Sequence, residues 1–180
     1  MTIACIGWGS LIENPGSLPV VSVWRADGPD LPIEFARQSQ DDRLTLVLVE
    51  GVPTSKALWC SLDASTLEEA VLALQAREGA KTGKHIGRWP LSDPDEYLMA
   101  SQIGEWAQLN GLLGVVWTAL PPGMKNSRGQ LPSLAEAVAH LGGLDAARLD
   151  AASKYIRTAP AQTQTAYRAA LEAELLRLGC

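Results

Sequence analysis

The sequence predicts an α+β domain, and three observations predict it. Strand signals crowd the first half of the chain, with a single helix among them. From Ser133 onward the pattern is helical. Residues 44–49 are apolar on both faces, as expected of a strand in the middle of a sheet or in the wall of a small barrel. At 180 residues, the span 1–180 reads as one domain, long enough to bury a core.

In order, the chain opens on Ile3-Ala4-Cys5-Ile6, a short β-compatible run that predicts a buried strand. Gly7-Trp8-Gly9-Ser10-Leu11-Ile12 and then Asn14-Pro15-Gly16 follow. Glycines on both sides of Trp8 let the backbone turn sharply and let a ligand approach the peptide amides. Such a loop can receive an anion or a developing oxyanion, or it can be a tight corner whose glycines serve packing alone. Strands are predicted over 20–24 and 33–38, with a turn at Asp27-Gly28-Pro29 between them. Alternation over 33–38 sets Ile33, Phe35 and Arg37 on one face and Glu34, Ala36 and Gln38 on the other. Asp41-Asp42 marks a hairpin turn into 44–49, and Gly51-Val52-Pro53 leads to a strand over 57–62.

The first helix has the clearest punctuation. Ser65 with Glu68 makes a capping box, and Gly79 supplies the stop. Leu67, Val71 and Leu74 share one face, and Glu78 continues that line. Residues 81–89 read as a loop or short strand. Ser92-Asp93-Pro94 is predicted to open a second helix running to about residue 109 and packing through Leu98, Met99 and Trp106. A buried strand over 112–119 precedes Pro121-Pro122-Gly123 and a polar loop. Three helical pieces close the chain: one capped by Ser133 and Glu136, one over 144–157, and one carrying Tyr167, Leu171, Leu175 and Leu178. The apolar face of the last could pack on the sheet or against a second copy of the chain, as in a homodimer.

Composition excludes several classes. A formal charge of -5, with lysines and arginines scattered singly, argues against nucleic acid and anionic membrane as partners. No apolar run approaches the ~20 residues of a membrane span, and no signal-like segment opens the sequence. Cys5, Cys60 and Cys180 are an odd set at unrelated spacings, read as reduced thiols of a cytoplasmic protein. Two histidines, with no Cys or His pairs at ligand spacing, predict no metal site. No cofactor motif is found. Gly7-x-Gly9 lacks the third glycine of a dinucleotide fingerprint, and Asn14-Pro15-Gly16 stands where a helix would have to follow. The loop is not Gly-x-Ser-x-Gly either, so Ser10 lacks the setting of a hydrolase nucleophile.

Glu78 is the oddest placement in the sequence. Helix glutamates are ordinarily surface residues paired with a nearby cation. Here the carboxyl shares a face with Leu67, Val71 and Leu74 and stands among the carbonyl dipoles of a helix C-terminus. Both settings favour a protonated acid, as in a proton shuttle working at neutral pH. Arg77 is expected off the apolar face, where it need not neutralise its neighbour. Arg37 could hold a substrate carboxylate, or cap its strand end and reach solvent. Trp8, Trp59, Trp89 and Trp117 lie in or beside strand signals and read as core.

Two features together, Gly7-Trp8-Gly9-Ser10-Leu11-Ile12 after the first strand and Arg77-Glu78-Gly79 closing the first helix, resemble the gamma-glutamylcyclotransferase superfamily, most closely its ChaC-type branch. That family has a Gly-Tyr-Gly-Ser-Leu loop, often with a proline a few residues on, as Pro15 is in this chain, and a catalytic glutamate in an Arg-Glu pair. The resemblance covers roughly the first half of the chain. It implies a small mixed β-barrel with flanking helices and cofactor-independent cyclisation of a gamma-glutamyl peptide or amide to 5-oxoproline. Glu78 would be the acid-base residue, and Gly7, Trp8, Gly9, Ser10 and Leu11 would hold the gamma-glutamyl group. Two departures bear on substrate and turnover: Trp8 replaces the tyrosine, and Lys81-Thr82-Gly83-Lys84 stands where a glycine-tyrosine element is common. A non-catalytic small-molecule-binding domain on the same fold is the alternative.

Overall fold

The computed structural model describes residues 2–80, 82–93 and 95–180. Lys81, predicted in an irregular stretch, and Pro94, predicted to open a helix, lie outside the described residues. In chain order the first elements are β1 (Ile3–Gly7), α1 (Ser10–Glu13), β2 (Asp30–Leu31), β3 (Ile33–Gln38), β4 (Leu44–Leu48), β5 (Ser55–Lys56), β6 (Leu58–Leu62) and α2 (Leu67–Glu78). A 3₁₀ turn at Gly83–His85 leads into β7 (Ile86–Trp89), then α3 (Ala100–Leu109), β8 (Gly114–Thr118), α4 (Leu134–Gly142), α5 (Ala146–Thr158) and α6 (Arg168–Arg177). The architecture is α+β. Its sheets are small, and among the described residues none closes into a barrel.

The chain forms two compact units, Met1–Leu31 with Lys56–Leu120, and Pro32–Ser55 with Pro121–Cys180. In the first, a four-stranded sheet has the order β6-β1-β8-β7. β1 pairs antiparallel with β6, setting Cys5 opposite Cys60, and parallel with β8. The period of two puts Ile3, Cys5, Cys60, Leu62, Ile86 and Val116 into one apolar cluster with Ala70, Val71 and Leu74 of α2. That burial, rather than helix propensity, is what holds a 12-residue helix in place. Its N-cap is one residue later than predicted. Thr66 accepts from Glu69 N, and Glu69 reaches back to Ser65 N, because this register turns Ala70, Val71 and Leu74 to the sheet. Gly79 closes the helix at φ 61°.

Two predicted elements are corrected in this unit. Residues 20–24 are not a strand; around them the chain meets the outer edge of β6 through isolated bridges at Val20 and Arg25. The ladder breaks between these because Ser61 N donates to the Ser22 side chain instead of a carbonyl, leaving Val21 and Val23 exposed. The second helix starts at Ala100 rather than near Ser92, since Met99 adopts φ 66° and stops helical geometry before it. It packs through Ala100, Ile103, Gly104 and Ala107, while Leu98 is exposed. Gly104 is there because a Cβ would lie 2.4 Å from Trp89 Nε1.

Gly87 of the edge strand β7 faces Trp117 across the β7–β8 pair. A Cβ at this position would lie 2.2 Å from the indole, which is fully buried and covers the glycine. Gly87→Ala is therefore expected to destabilise the protein by about 3 kcal/mol, at the upper end of overpacking costs. Urea denaturation followed by tryptophan fluorescence checks this; an unchanged midpoint would mean that the sheet yields freely at β7.

In the second unit, β3 and β4 form the predicted hairpin, turning at Asp42 with φ 65°. The register slips between Phe35 and Arg37, so Arg37 pairs with Thr45. This bulge moves Arg37 off the Ile33–Phe35 face predicted for it and onto the face of Thr45. Gly123 joins β3 by a parallel bridge to Arg37. The capping box of Ser133 and Glu136 forms as predicted, and Asp145 caps α5 by accepting from Arg148 N. Tyr155 of α5 meets Phe35 edge-on. Leu171 and Leu175 of α6 are fully buried in this unit, where α6 packs on α4 and α5. The face offered by the sequence to a second copy is thus covered inside the unit.

Candidate functional site

The first unit brings the opening loop and the end of α2 together. β1 runs out at Gly7, where a Cβ would lie 2.8 Å from the Trp24 ring, so this glycine serves packing. Trp8 is 7% exposed. Gly9 takes φ 72°, ψ -142°, a conformation that favours glycine, and turns the chain into α1. The sequence reading left no room for a helix before Asn14-Pro15-Gly16; one turn fits, because Asn14 N closes on Ser10 O before the proline intervenes. Leu11 is a core residue at 4% exposure and joins the cluster under α2. Ser10 is partly exposed. As at any helix start, the Ser10 and Leu11 amides have no intrahelical acceptor.

Arg77 is the join. Its guanidinium donates to Glu78 Oε1 at 2.7 Å, to Asn14 O at 2.9 Å and to Ser10 Oγ at 3.4 Å. Both members of the ion pair are mostly shielded, with side chains 16% and 18% exposed. The expectation that Arg77 would stand clear of Glu78 is corrected. Gly79 ends the helix directly after the pair, and a side chain in the last turn can swing back along its own terminus. Beneath them lies Cys5, whose thiol is pushed well up, first by burial, then by Cys60 and Glu78, against a smaller opposing effect of Arg77. Burial also pushes the Cys60 thiol up to about 12, so neither is a thiolate at neutral pH. Cys5, Cys60 and Cys180 are free thiols.

No family model, no curated protein and no solved structure matches this chain. Among the described residues, no group of three or more His, Cys, Asp or Glu is placed to hold a metal ion. No helix of the described residues is long and apolar enough to cross a membrane.

Of the predicted site residues, Ser10 and Glu78 meet through Arg77, whereas Gly7, Trp8, Gly9 and Leu11 are buried around the turn that presents them. Arg37 belongs to the second unit, where Nη1 donates to Pro121 O at 2.7 Å. Burial and the neighbouring Arg128 both push its pKa down. Sequence reasoning missed Glu34, a fully buried carboxylate in the second unit. It accepts from Phe35 N at 2.7 Å and Tyr167 N at 3.1 Å, with Thr165 and Ala166 also bonding to it. Burial raises its pKa, and those hydrogen bonds oppose the rise. Its one signal in the sequence was a glutamate between Ile33 and Phe35; apart from the adjacent Phe35 amide, its partners lie more than a hundred residues away.

Proposed function

We propose that the protein is a cofactor-independent cyclotransferase that converts a gamma-glutamyl peptide or amide to 5-oxoproline with release of the amine. One observation carries the reading: a single guanidinium ties the Ser10–Asn14 turn to the Glu78 carboxylate. This is the juxtaposition that the two motifs of the family resemblance require. The substrate's own α-amine nitrogen attacks the γ-carbonyl carbon, the five-membered lactam forms, and the bond to the departing nitrogen breaks. Glu78 takes the proton from the attacking amine and returns one to the leaving nitrogen. The turn amides of Ser10 and Leu11 are the donors for the oxyanion that develops between these steps. Because attack is intramolecular, the protein's work is to fold the substrate over and to place one base beside it. Arg77 fixes the carboxylate for that role. The small mixed barrel belongs to this same reading, with β6-β1-β8-β7 as one wall.

A second reading, a binding domain without turnover, is favoured by Trp8. Its buried indole fills the place where the family has a tyrosine hydroxyl. One experiment separates the two. The pure protein is incubated with a panel of gamma-glutamyl peptides and amines while 5-oxoproline and thermal stability are both followed. Cyclisation predicts product from at least one compound. Stabilisation without product selects the binding domain, and neither response removes both.

A further inference from the structure

In the second unit, the loop after Pro121 is strapped to β3 by two guanidinium groups. Gly123 N donates to Ala36 O at 2.7 Å, and Gln38 N donates to Gly123 O at 3.2 Å. Gly123 sits at φ +110°, where a Cβ would lie 2.3 Å from Ser127 O, so only glycine lets the loop come this close. Arg37 donates to Pro121 O, and Arg128 donates to Gly123 O and Gln38 O. The carbonyls that anchor them therefore lie on adjoining stretches of one backbone bridge.

Neither guanidinium has a carboxylate partner among the described residues. The acids of the neighbouring hairpin turn are taken: Asp42 by Lys125 and Arg148, Asp41 by Arg43. Two like charges held side by side, one of them half-buried, repel, and backbone carbonyls offset that only in part. Two bonds to the loop and one to β3 use three of the ten N–H groups that two guanidiniums carry. Charge of +2 without a carboxylate partner, and the N–H groups left over on both guanidiniums, match a dianion with several oxygens better than a single carboxylate.

We propose that Arg37 and Arg128 bind a phosphate group, either inorganic phosphate or the phosphoryl end of a small metabolite. The site stands on the second unit alone and does not rest on the cyclotransferase reading. Calorimetric titration at constant ionic strength, balanced with sodium chloride, tests it with inorganic phosphate in one arm and glycerol phosphate in the other. Saturable one-to-one binding is expected, weakened about tenfold or more in Arg37→Gln and in Arg128→Gln, with Arg128→Lys intermediate because it keeps the charge but loses the fork. Tighter binding in one arm identifies the source of the group. Thermal stabilisation by phosphate should follow the same order. Arg128 is exposed, so its variants are expected to fold even where Arg37→Gln does not. The absence of saturation by roughly 10 mM phosphate in the native protein, or equal affinity in both Arg128 variants and the native protein, overturns the proposal.

Discussion

Glu78→Gln is expected to lower the rate of 5-oxoproline release by about 10²- to 10⁴-fold, the range associated with losing a positioned acid-base group. The amide keeps the size of the carboxyl and can still meet Arg77 through its oxygen, but it cannot accept the substrate's proton. Stability should change by no more than about 1 kcal/mol, because the amide oxygen keeps an acceptor for Arg77, whose guanidinium also stays bonded to Asn14 O. The two readouts must therefore separate: activity falls while the unfolding midpoint stays. Initial rates on whichever gamma-glutamyl compound is turned over fastest, alongside urea denaturation, provide the check. Retention of native turnover by the glutamine variant would remove Glu78 from the mechanism.

The largest effect on stability is expected at Glu34. Glu34→Ala removes the acceptor of the buried Phe35 amide and of the half-buried Tyr167 amide, and opens a cavity where the fully buried side chain stood. Each unsatisfied buried donor costs about 1–3 kcal/mol, so a total loss of about 4 kcal/mol is expected, somewhat below the simple sum. Glu34→Gln keeps one acceptor oxygen but turns an NH₂ group toward donors, so it should lose about half as much. The pH dependence has a definite sign. Burial raises the folded-state pKa of Glu34 above its ordinary value of 4.5. The folded protein therefore holds this proton more tightly than the unfolded chain does. That contribution to stability is fully present below the unfolded pKa and is lost as pH rises through the folded one. The difference in unfolding free energy between native protein and Glu34→Gln, which cannot titrate at this position, should move against the native protein as pH climbs from about 4. A difference that stays flat, or moves the other way, would mean that the hydrogen bonds outweigh burial.

Much of the local structure was legible in the residues. The run 3–6 is a strand because short apolar β-compatible stretches have few other uses, and 33–38 and 44–48 pair because Asp41-Asp42 supplies the turn between them. The α2 stop at Gly79 and the box at Ser133 and Glu136 are local chemistry, complete within a few residues, and both formed where they were read. Residues 20–24 and 95–99 were misread for the complementary reason. Whether β-compatible residues join a ladder depends on which donors the neighbouring strand presents, and Ser22 intercepted one of them. Whether a turn-like stretch becomes helix depends on the backbone as much as on its apolar residues, and Met99 at φ 66° holds helical geometry off until Ala100.

By itself, the sequence determined the α+β class, the order of most elements and the two short motifs from which the functional reading grew. Those depend on hydrophobic period and on capping, which act over three or four residues. Tertiary structure alone decided how the motifs meet. Arg77, read as a bystander, became the bond between Ser10, Asn14 and Glu78 because folding brought residues more than sixty positions apart within reach of one guanidinium. A single bulge turned Arg37 to the other face of its strand and beside Arg128, and a loop near the C-terminus gave Glu34 its donors. Charged side chains carry no periodic signal of their partners, so their roles became readable only once the backbone had placed them.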